Sequence, residues 1–524
     1  MTRFVSAHDA VSRIPDGCTL AVGGFNGFGA PDALLAALRE RFLDTGAPRG
    51  LTLMKSVSVG DRGERGVSRI ALEGLVRRVI TSHVGLEPAM AKLIEENKIL
   101  AYLLPLGTVT DLYRAAASHR PGVITHVGLE TFVDPRQDGG KANALTVSEG
   151  EDLVSLLRID GEDWLFHRVI PVDCCLLRGT YADRKGNIVL SKEAMYGEQL
   201  EAAAAAHNHG GTVIVQVEQV LDADFDPRIV KLHHTLVDYV VTAPPEYHRQ
   251  AFGYDEYRPE VAGECRAPIE TKAAMPLGER KICGRRAALE LRADSLVNLG
   301  IGVPEAVAAV AAEEGFSDRI TLSIESGVLG GVPLSGLALG GTTNPEAIYK
   351  MPDTLNLYDG GVLDLAVLGM AEMDSEGNVN VSKFGGRVTG PGGFINISQN
   401  TGVMLFTGSF TAGGLKTACE DGRLRIVQEG RAQKLVERVE QITFSGAYAR
   451  RKGQRVLYIT ERAVFRLAPE GVELIEIAPG VDLEKDVLDK MAFKPIISPQ
   501  LKLMDARLFS EAVMGIKDEI LNKA

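Results

Sequence analysis

Two segments of this chain repeat each other at a fixed spacing. DCCLLRGTYADRKGNIVLSK runs from Asp173 to Lys192, and DLAVLGMAEMDSEGNVNVSK runs from Asp364 to Lys383. At an offset of 191 residues, Asp173, Asp183, Gly186, Asn187, Ser191 and Lys192 fall on Asp364, Asp374, Gly377, Asn378, Ser382 and Lys383. A second echo pairs GFGAP (27–31) with GIGVP (300–304). Self-similarity of this kind sets the architecture before any single motif does. The chain reads as one domain duplicated head to tail. Its 524 residues agree, being too many for one core at roughly 150 residues per domain.

Apolar runs of strand length alternate with helical periodicity, the pattern of α/β architecture. Expected strands in the first half are 18–24, 51–57, 77–83, 98–104 and 212–218; in the second half they are 294–300, 320–326, 363–369 and 402–408. A helix is expected to open at Pro31, because PDALLAALRERF puts Pro and Asp in its first turn. Residues 257–281, with three prolines and little apolar periodicity, read as the joint between the copies. The expected domains are therefore 1–260 and 281–524, with 261–280 as linker. Residues 455–480 alternate like a strand meander, and 481–491 look helical.

Many functions are excluded early. The net charge of −12 argues against a nucleic-acid partner, which takes a concentration of Lys and Arg. No stretch reaches the ~20 apolar residues that span a bilayer, and the N-terminus is not a secretory leader, so no membrane role and a cytoplasmic location are expected. Six cysteines without C-x-x-C pairing read as reduced and mostly buried. There is no G-x-x-x-x-G-K-[ST] and no G-x-S-x-G, and G-x-G-x-x-G fails after Gly302. His207, His209, His233 and His234 lack zinc-ligand context, so no metal is expected.

Three glycine-rich loops stand at expected strand ends: GGFNGFGAP (23–31), NLGIGVP (298–304) and GPGGFINISQN (390–400). Ligands of open α/β sheets collect at the carboxyl ends of strands, where glycine lets backbone N–H groups approach an oxyanion closely. Tight turns alone also call for glycine. One carboxylate is in an odd place. Glu325 ends the β-rich run ITLSI, where charge is costly unless it faces a cleft. A partly desolvated carboxylate there can serve as nucleophile or base. It can equally cap a turn or pair with an arginine.

SIESGVLGG around Glu325, with NLGIGVP upstream, GPGGFINISQ downstream and GGFNGFGAP in the first copy, resembles the family I coenzyme A transferases, in their single-chain acetate or propionate branch. HVGLEPAM (83–90) and LPLGTVTDLYRA (104–115) extend the resemblance across nearly the whole chain. It implies two homologous open α/β domains fused in one chain, an active site in the inter-domain cleft, and a homo-oligomer, dimer or tetramer. It also implies transfer of CoA between short-chain acyl-CoA thioesters and free carboxylates in ping-pong fashion, with coenzyme A as substrate and no permanently bound cofactor. Glu325 becomes the nucleophile by this resemblance, forming an acyl anhydride and then a glutamyl-CoA thioester. Backbone groups of Gly392, Gly393 and Val303 form the implied oxyanion hole. Gly300, Gly302, Asn396, Ser398 and Gln399 are expected near the thiol end of CoA, with Lys383 and Arg387 as further contacts. Gly24, Phe25, Asn26, Gly27 and Phe28 are expected around the acyl group. Leu106 stands where some succinyl-CoA-dependent members carry Gln, which tilts the expectation toward acetate, propionate and butyrate.

The residue types suit that chemistry. A carboxylate with an ordinary pKa of about 4.3 needs no general base at pH 7, which fits a chain without a triad. Two other readings compete: an acyl-CoA hydrolase on the same scaffold, and a non-catalytic CoA- or metabolite-binding protein.

Overall fold

The strands expected from the apolar runs form two eight-stranded sheets. The computed structural model describes residues 1–269 and 274–523, so residues 270–273 of the expected linker lie outside the described residues. By packing, the chain divides into two units. The first holds Met1–Ile269 together with Ile324–Asn356 and Gly385–Asn396; the second holds Glu270–Ser323, Leu357–Phe384 and Ile397–Ala524. The segment that carries Glu325 thus packs with the first unit.

The first unit's sheet has the order Arg3–Phe4, Tyr239–Thr242, Thr212–Val217, Cys174–Arg178, Thr19–Val22, Leu51–Met54, Val76–Thr81, Leu100–Leu103, and every neighbour is parallel. Both faces of a parallel sheet are covered, so its strands are near-continuous apolar runs. TLAV, LTLM and CCLLR are buried at every position. The chain order reverses direction between Thr19–Val22 and Cys174–Arg178, and ligand crevices of open sheets lie beyond the strand ends at such a switch. The helix Asp32–Thr45 follows Pro31 as expected. The buried Asp32 takes a bidentate bond from Arg69 at 2.8 and 2.9 Å and a bond from Gly66 N–H at 2.8 Å.

The second unit's sheet runs Ile320–Leu322, Ser295–Leu299, Leu365–Gly369, Val403–Thr407, Arg455–Ile459, Ala463–Ala468, Gly471–Ile477, Ile496–Leu503. The first five are parallel. The expected meander follows as antiparallel neighbours, and Ile496–Leu503 adds parallel to it at the edge. Val297, Val367, Leu405, Leu457 and Ile459 form the core of this unit together with residues of its helices. Residues 481–491 fold as two short turns, Leu483–Val487 and Leu488–Lys490, and not as one helix. The reason lies in VDLEKDVLDKM itself, whose charges leave too narrow an apolar face; Val487 is the buried residue of the first turn.

The repeat seen in the sequence is a repeat of hydrogen bonds. Asp173 accepts from Thr19 N–H at 2.7 Å, and Asp364 accepts from Leu296 N–H at 2.7 Å. Gly23 donates to Leu176 O at 3.0 Å, and Gly300 to Val367 O at 2.8 Å. Both copies of D-x-x-G-N close the same turn. The Asp183 carboxylate accepts from the N–H groups of Lys185, Gly186 and Asn187 and from Asn187 Nδ2 at 2.7–2.9 Å. Asp374 accepts from Glu376 and Asn378 N–H and from Asn378 Nδ2 at 3.0–3.1 Å. Burial works to raise the Asp183 carboxyl, but the donated bonds outweigh it and hold the group below its ordinary 3.8.

A lowered carboxyl stabilises the fold above the unfolded-state pKa, and that contribution is lost as pH falls through the folded value. Asp183→Ala is therefore expected to lower the thermal midpoint by about 2–8 °C, the equivalent of roughly 1–3 kcal/mol in a unit of this size. The deficit should be constant from pH 8 to pH 5 and narrow only below about pH 4. Differential scanning calorimetry across that range checks it; a deficit that shrinks already at pH 6 contradicts the assignment.

Candidate active site

Glu325 lies three residues beyond the strand Ile320–Leu322, in a turn closed by Ile324 N–H to Val328 O at 2.9 Å and Gly327 N–H to Ile324 O at 3.0 Å. It is half-buried, while Ser326 and Gly327 beside it are buried. Ser326 Oγ donates to Gly340 O at 2.6 Å, which fixes the turn to the 336–341 loop. That loop is held in turn by Asn26, whose Nδ2 donates to Leu339 O at 3.1 Å.

The turn Gly390–Gly393 meets Glu325 from the other side. A Cβ built on Gly393 would stand 3.1 Å from Glu325 Cγ and 3.4 Å from its carboxyl carbon, so any side chain there would press on Glu325 and shift it. Three backbone bonds dock this turn. Gly392 N–H donates to Ser82 O at 2.9 Å, Leu106 N–H to Gly392 O at 3.1 Å, and Val84 N–H to Thr389 O at 2.8 Å. Asn396 Oδ1 accepts from Gly107 N–H at 3.0 Å, at the start of the helix Leu106–Ala117. Gly390 (φ +87°) approaches so closely that a Cβ would fall 2.3 Å from Ser82 O.

Beneath these loops the carboxyl ends of Leu51–Met54 and Val76–Thr81 carry a buried ion pair. Lys55 Nζ and Glu87 Oε2 are 3.1 Å apart and both side chains are fully buried. Burial pushes Lys55 down and Glu87 up, and their mutual attraction opposes both shifts. His83, 2.9 Å from Ser58 Oγ through Nδ1, packs beside Gly392. Burial, with the Lys55 and Arg62 charges nearby, pushes its imidazole down to about 4, so the ring is neutral at pH 7. Glu198, bonded by Ser56 Oγ at 2.6 Å, is pushed up to about 7 by burial.

The expected site residues divide accordingly. Glu325, Gly392 and Gly393 come together. Gly392 N–H, however, donates to Ser82 O. Asn396 and Ser398 are buried, the first bonded to Gly107 and the second within the helix Phe394–Asn400 with its carbonyl on Gln454 Nε2 at 2.7 Å. Gln399 is also buried. Gly24, Phe25, Asn26, Gly27 and Phe28 form a tight turn, with Phe25 and Phe28 exchanging N–H···O bonds at 2.9 Å. Phe25 and Phe28 are 2% and 0% exposed and abut Gly340 and Gly341. They back the loop that holds Ser326. Gly300, Gly302 and Val303 lead into the helix Glu305–Glu313 of the second unit, where Lys383 is also found, half-buried; Arg387 is exposed in the first unit.

Lys55 and Glu87 had no expected role. The signal was available, since Lys55 follows the apolar run LTLM as Glu325 follows ITLSI. Among the described residues no cluster of three or more His, Cys, Asp or Glu is arranged to hold a metal, and no helix is long and apolar enough to cross a membrane.

Known proteins with this arrangement are close at hand. The coenzyme A transferase family matches residues 4–243. The chain is 46% identical to the caffeate CoA-transferase of Acetobacterium woodii across all of both chains, and 44% identical to the acetate CoA-transferase YdiF of Escherichia coli K12, covering 98% of this chain and 96% of that one. The crystal structure of the YdiF acyl-CoA transferase of E. coli O157:H7, as a thioester complex with CoA, superposes with a TM-score of 0.92 at 42% identity, covering 98% of this chain and 97% of that one.

Proposed function

This chain belongs to the coenzyme A transferases, enzymes that move CoA between an acyl-CoA and a carboxylate, and from that footing we propose that Glu325 carries CoA covalently between short-chain acids. The observation that supports the reading is the packing of Gly393 on the Glu325 side chain.

In this reaction a Glu325 oxygen attacks the thioester carbonyl carbon; the new C–O bond forms, the C–S bond breaks and CoA leaves as thiolate. The thiolate attacks the glutamyl carbonyl of the resulting anhydride, giving glutamyl-CoA and releasing the first acid as carboxylate. The second carboxylate attacks glutamyl-CoA and expels the thiolate, which then takes the acyl carbon of the new anhydride. The second acid leaves as its CoA ester and Glu325 is restored. No net proton is needed, in keeping with a nucleophile that is ionised at pH 7. Each addition develops an oxyanion, to which we assign Gly393 N–H; one such donor contributes roughly 2.7–4 kcal/mol in other enzymes. A thioester complex with CoA, described for the YdiF structure, supports the covalent step.

The relatives of nearly equal identity are named for caffeate and for acetate, so preference for the acid rests on few residues. Leu106 is buried and its N–H donates to Gly392 O, and from its apolar character at this position we read the acceptors as short monocarboxylates.

The test pairs acetyl-CoA with a panel of acids, caffeate and succinate included. Expected are exchange with propionate and butyrate ahead of both, constant total thioester, loss of activity to borohydride only when acyl-CoA is present, and a CoA adduct on Glu325 by mass spectrometry. Falling total thioester would favour the hydrolase; no exchange with any acid would favour a binding protein.

A further inference from the structure

The buried Lys55–Glu87 pair touches neither Glu325 nor Gly393, yet both loops that meet there are fastened to it. Lys55 Nζ donates to Thr81 Oγ1 at 3.0 Å, His83 O at 2.9 Å and Val57 O at 3.2 Å. It thus grips the strand end whose Ser82 carbonyl and Val84 N–H dock the Gly390–Gly393 turn at 2.9 and 2.8 Å. Glu87 Oε1 accepts from Val59 N–H at 2.6 Å. Ser58 O in turn accepts from Asn26 N–H at 2.7 Å, and Gly60 donates to Asn26 O at 2.9 Å. Asn26 Nδ2 reaches Leu339 O at 3.1 Å, next to Gly340, on which Ser326 is fixed at 2.6 Å. The Ser58 Oγ–His83 Nδ1 bond of 2.9 Å ties the two paths together.

We propose that Lys55 and Glu87 are positioning residues for CoA transfer, a common anchor that sets the separation of Glu325 from the Gly393 backbone. The inference rests on the reading of Glu325 as nucleophile. A buried ion pair kept only for stability can often be replaced by apolar side chains of similar volume without loss. A pair that aims two loops cannot, because Met and Leu bind neither Thr81 Oγ1, the carbonyls of Val57 and His83, nor Val59 N–H.

The discriminating variant is therefore Lys55→Met/Glu87→Leu, with Glu87→Gln beside it. Glu87→Gln keeps an oxygen for Val59 N–H and removes the charge facing Lys55. Steady-state kinetics with acetyl-CoA and propionate, thermal midpoints, and the rate and final extent of CoA labelling on Glu325 are measured for each. The double variant is expected to lose about 10²-fold in kcat, the cost of misplacing reacting groups by roughly an ångström, with KM for acetyl-CoA within about threefold. Labelling should be slower by the same factor but reach the same final extent, which marks the chains as folded. Glu87→Gln should fall between the two, and it decides the matter alone if the double variant does not fold. A kcat within about threefold of the parent in whichever variants fold overturns the inference, leaving the nucleophile reading intact. A parent enzyme that never labels at Glu325 overturns both.

Discussion

Glu325→Gln is expected to lower kcat for CoA transfer by at least about four orders of magnitude, with KM for acetyl-CoA changed by no more than about threefold. That loss corresponds to about 5–6 kcal/mol of transition-state stabilisation. Glutamine has the same shape, so the packing on Gly393 at 3.1 Å from Cγ is preserved and the thermal midpoint should move little. What disappears is the ionised oxygen that forms the bond to the acyl carbon. An amide oxygen is far too weak a nucleophile to replace it, and water entering in its place would hydrolyse the thioester and not transfer it. A turn-capping or arginine-pairing Glu325 would give the opposite pattern, a lowered midpoint with most of kcat retained. Thioester exchange and calorimetry on the same preparation separate the two. Residual transfer above about 1% of the parent would contradict covalent catalysis at this position.

The parallel sheets were legible because burial on both faces writes itself into local composition: TLAV, LTLM and LAVLG are apolar at nearly every position, whatever lies around them. Asp173 and Asp364 were legible as a repeat, and the structure gives that repeat a cause in the bond each takes from a strand N–H. The two-residue edge strand Arg3–Phe4 was not, since so short a run has no period. The docking of the Gly390–Gly393 turn on Ser82 and Leu106 was hidden for a different reason. Backbone carbonyls and N–H groups are common to every residue, so a bond between positions about three hundred residues apart leaves no mark on residue type except the glycine that permits it. The same holds for the packing of Phe25 and Phe28 on Gly340 and Gly341, because the aromatic character of these two side chains names no partner.

That permissive glycine can be tested against one that carries only backbone strain. Gly390 and Gly386 both have positive φ, +87° and +77°, where an L side chain costs about 1–2 kcal/mol. They differ in surroundings. A Cβ on Gly390 meets Ser82 O at 2.3 Å and the His83 Cα at 3.1 Å, while a Cβ on Gly386 meets nothing within 4 Å. Gly386→Ala is therefore expected to lower kcat by no more than about threefold. Gly390→Ala must push the turn away from the strand end that holds Gly392 N–H, and Gly393 moves with it relative to Glu325. A displacement near an ångström at a reacting group typically costs about 10²-fold, so Gly390→Ala should lose about that factor in kcat. The two thermal midpoints should differ by less than this gap in activity suggests, because both variants carry the same φ penalty and only one disturbs the reacting geometry. Equal kcat losses in the two variants would mean that backbone strain alone accounts for the effect, and that contact of the turn with Ser82 plays no part in aligning Gly393 with Glu325.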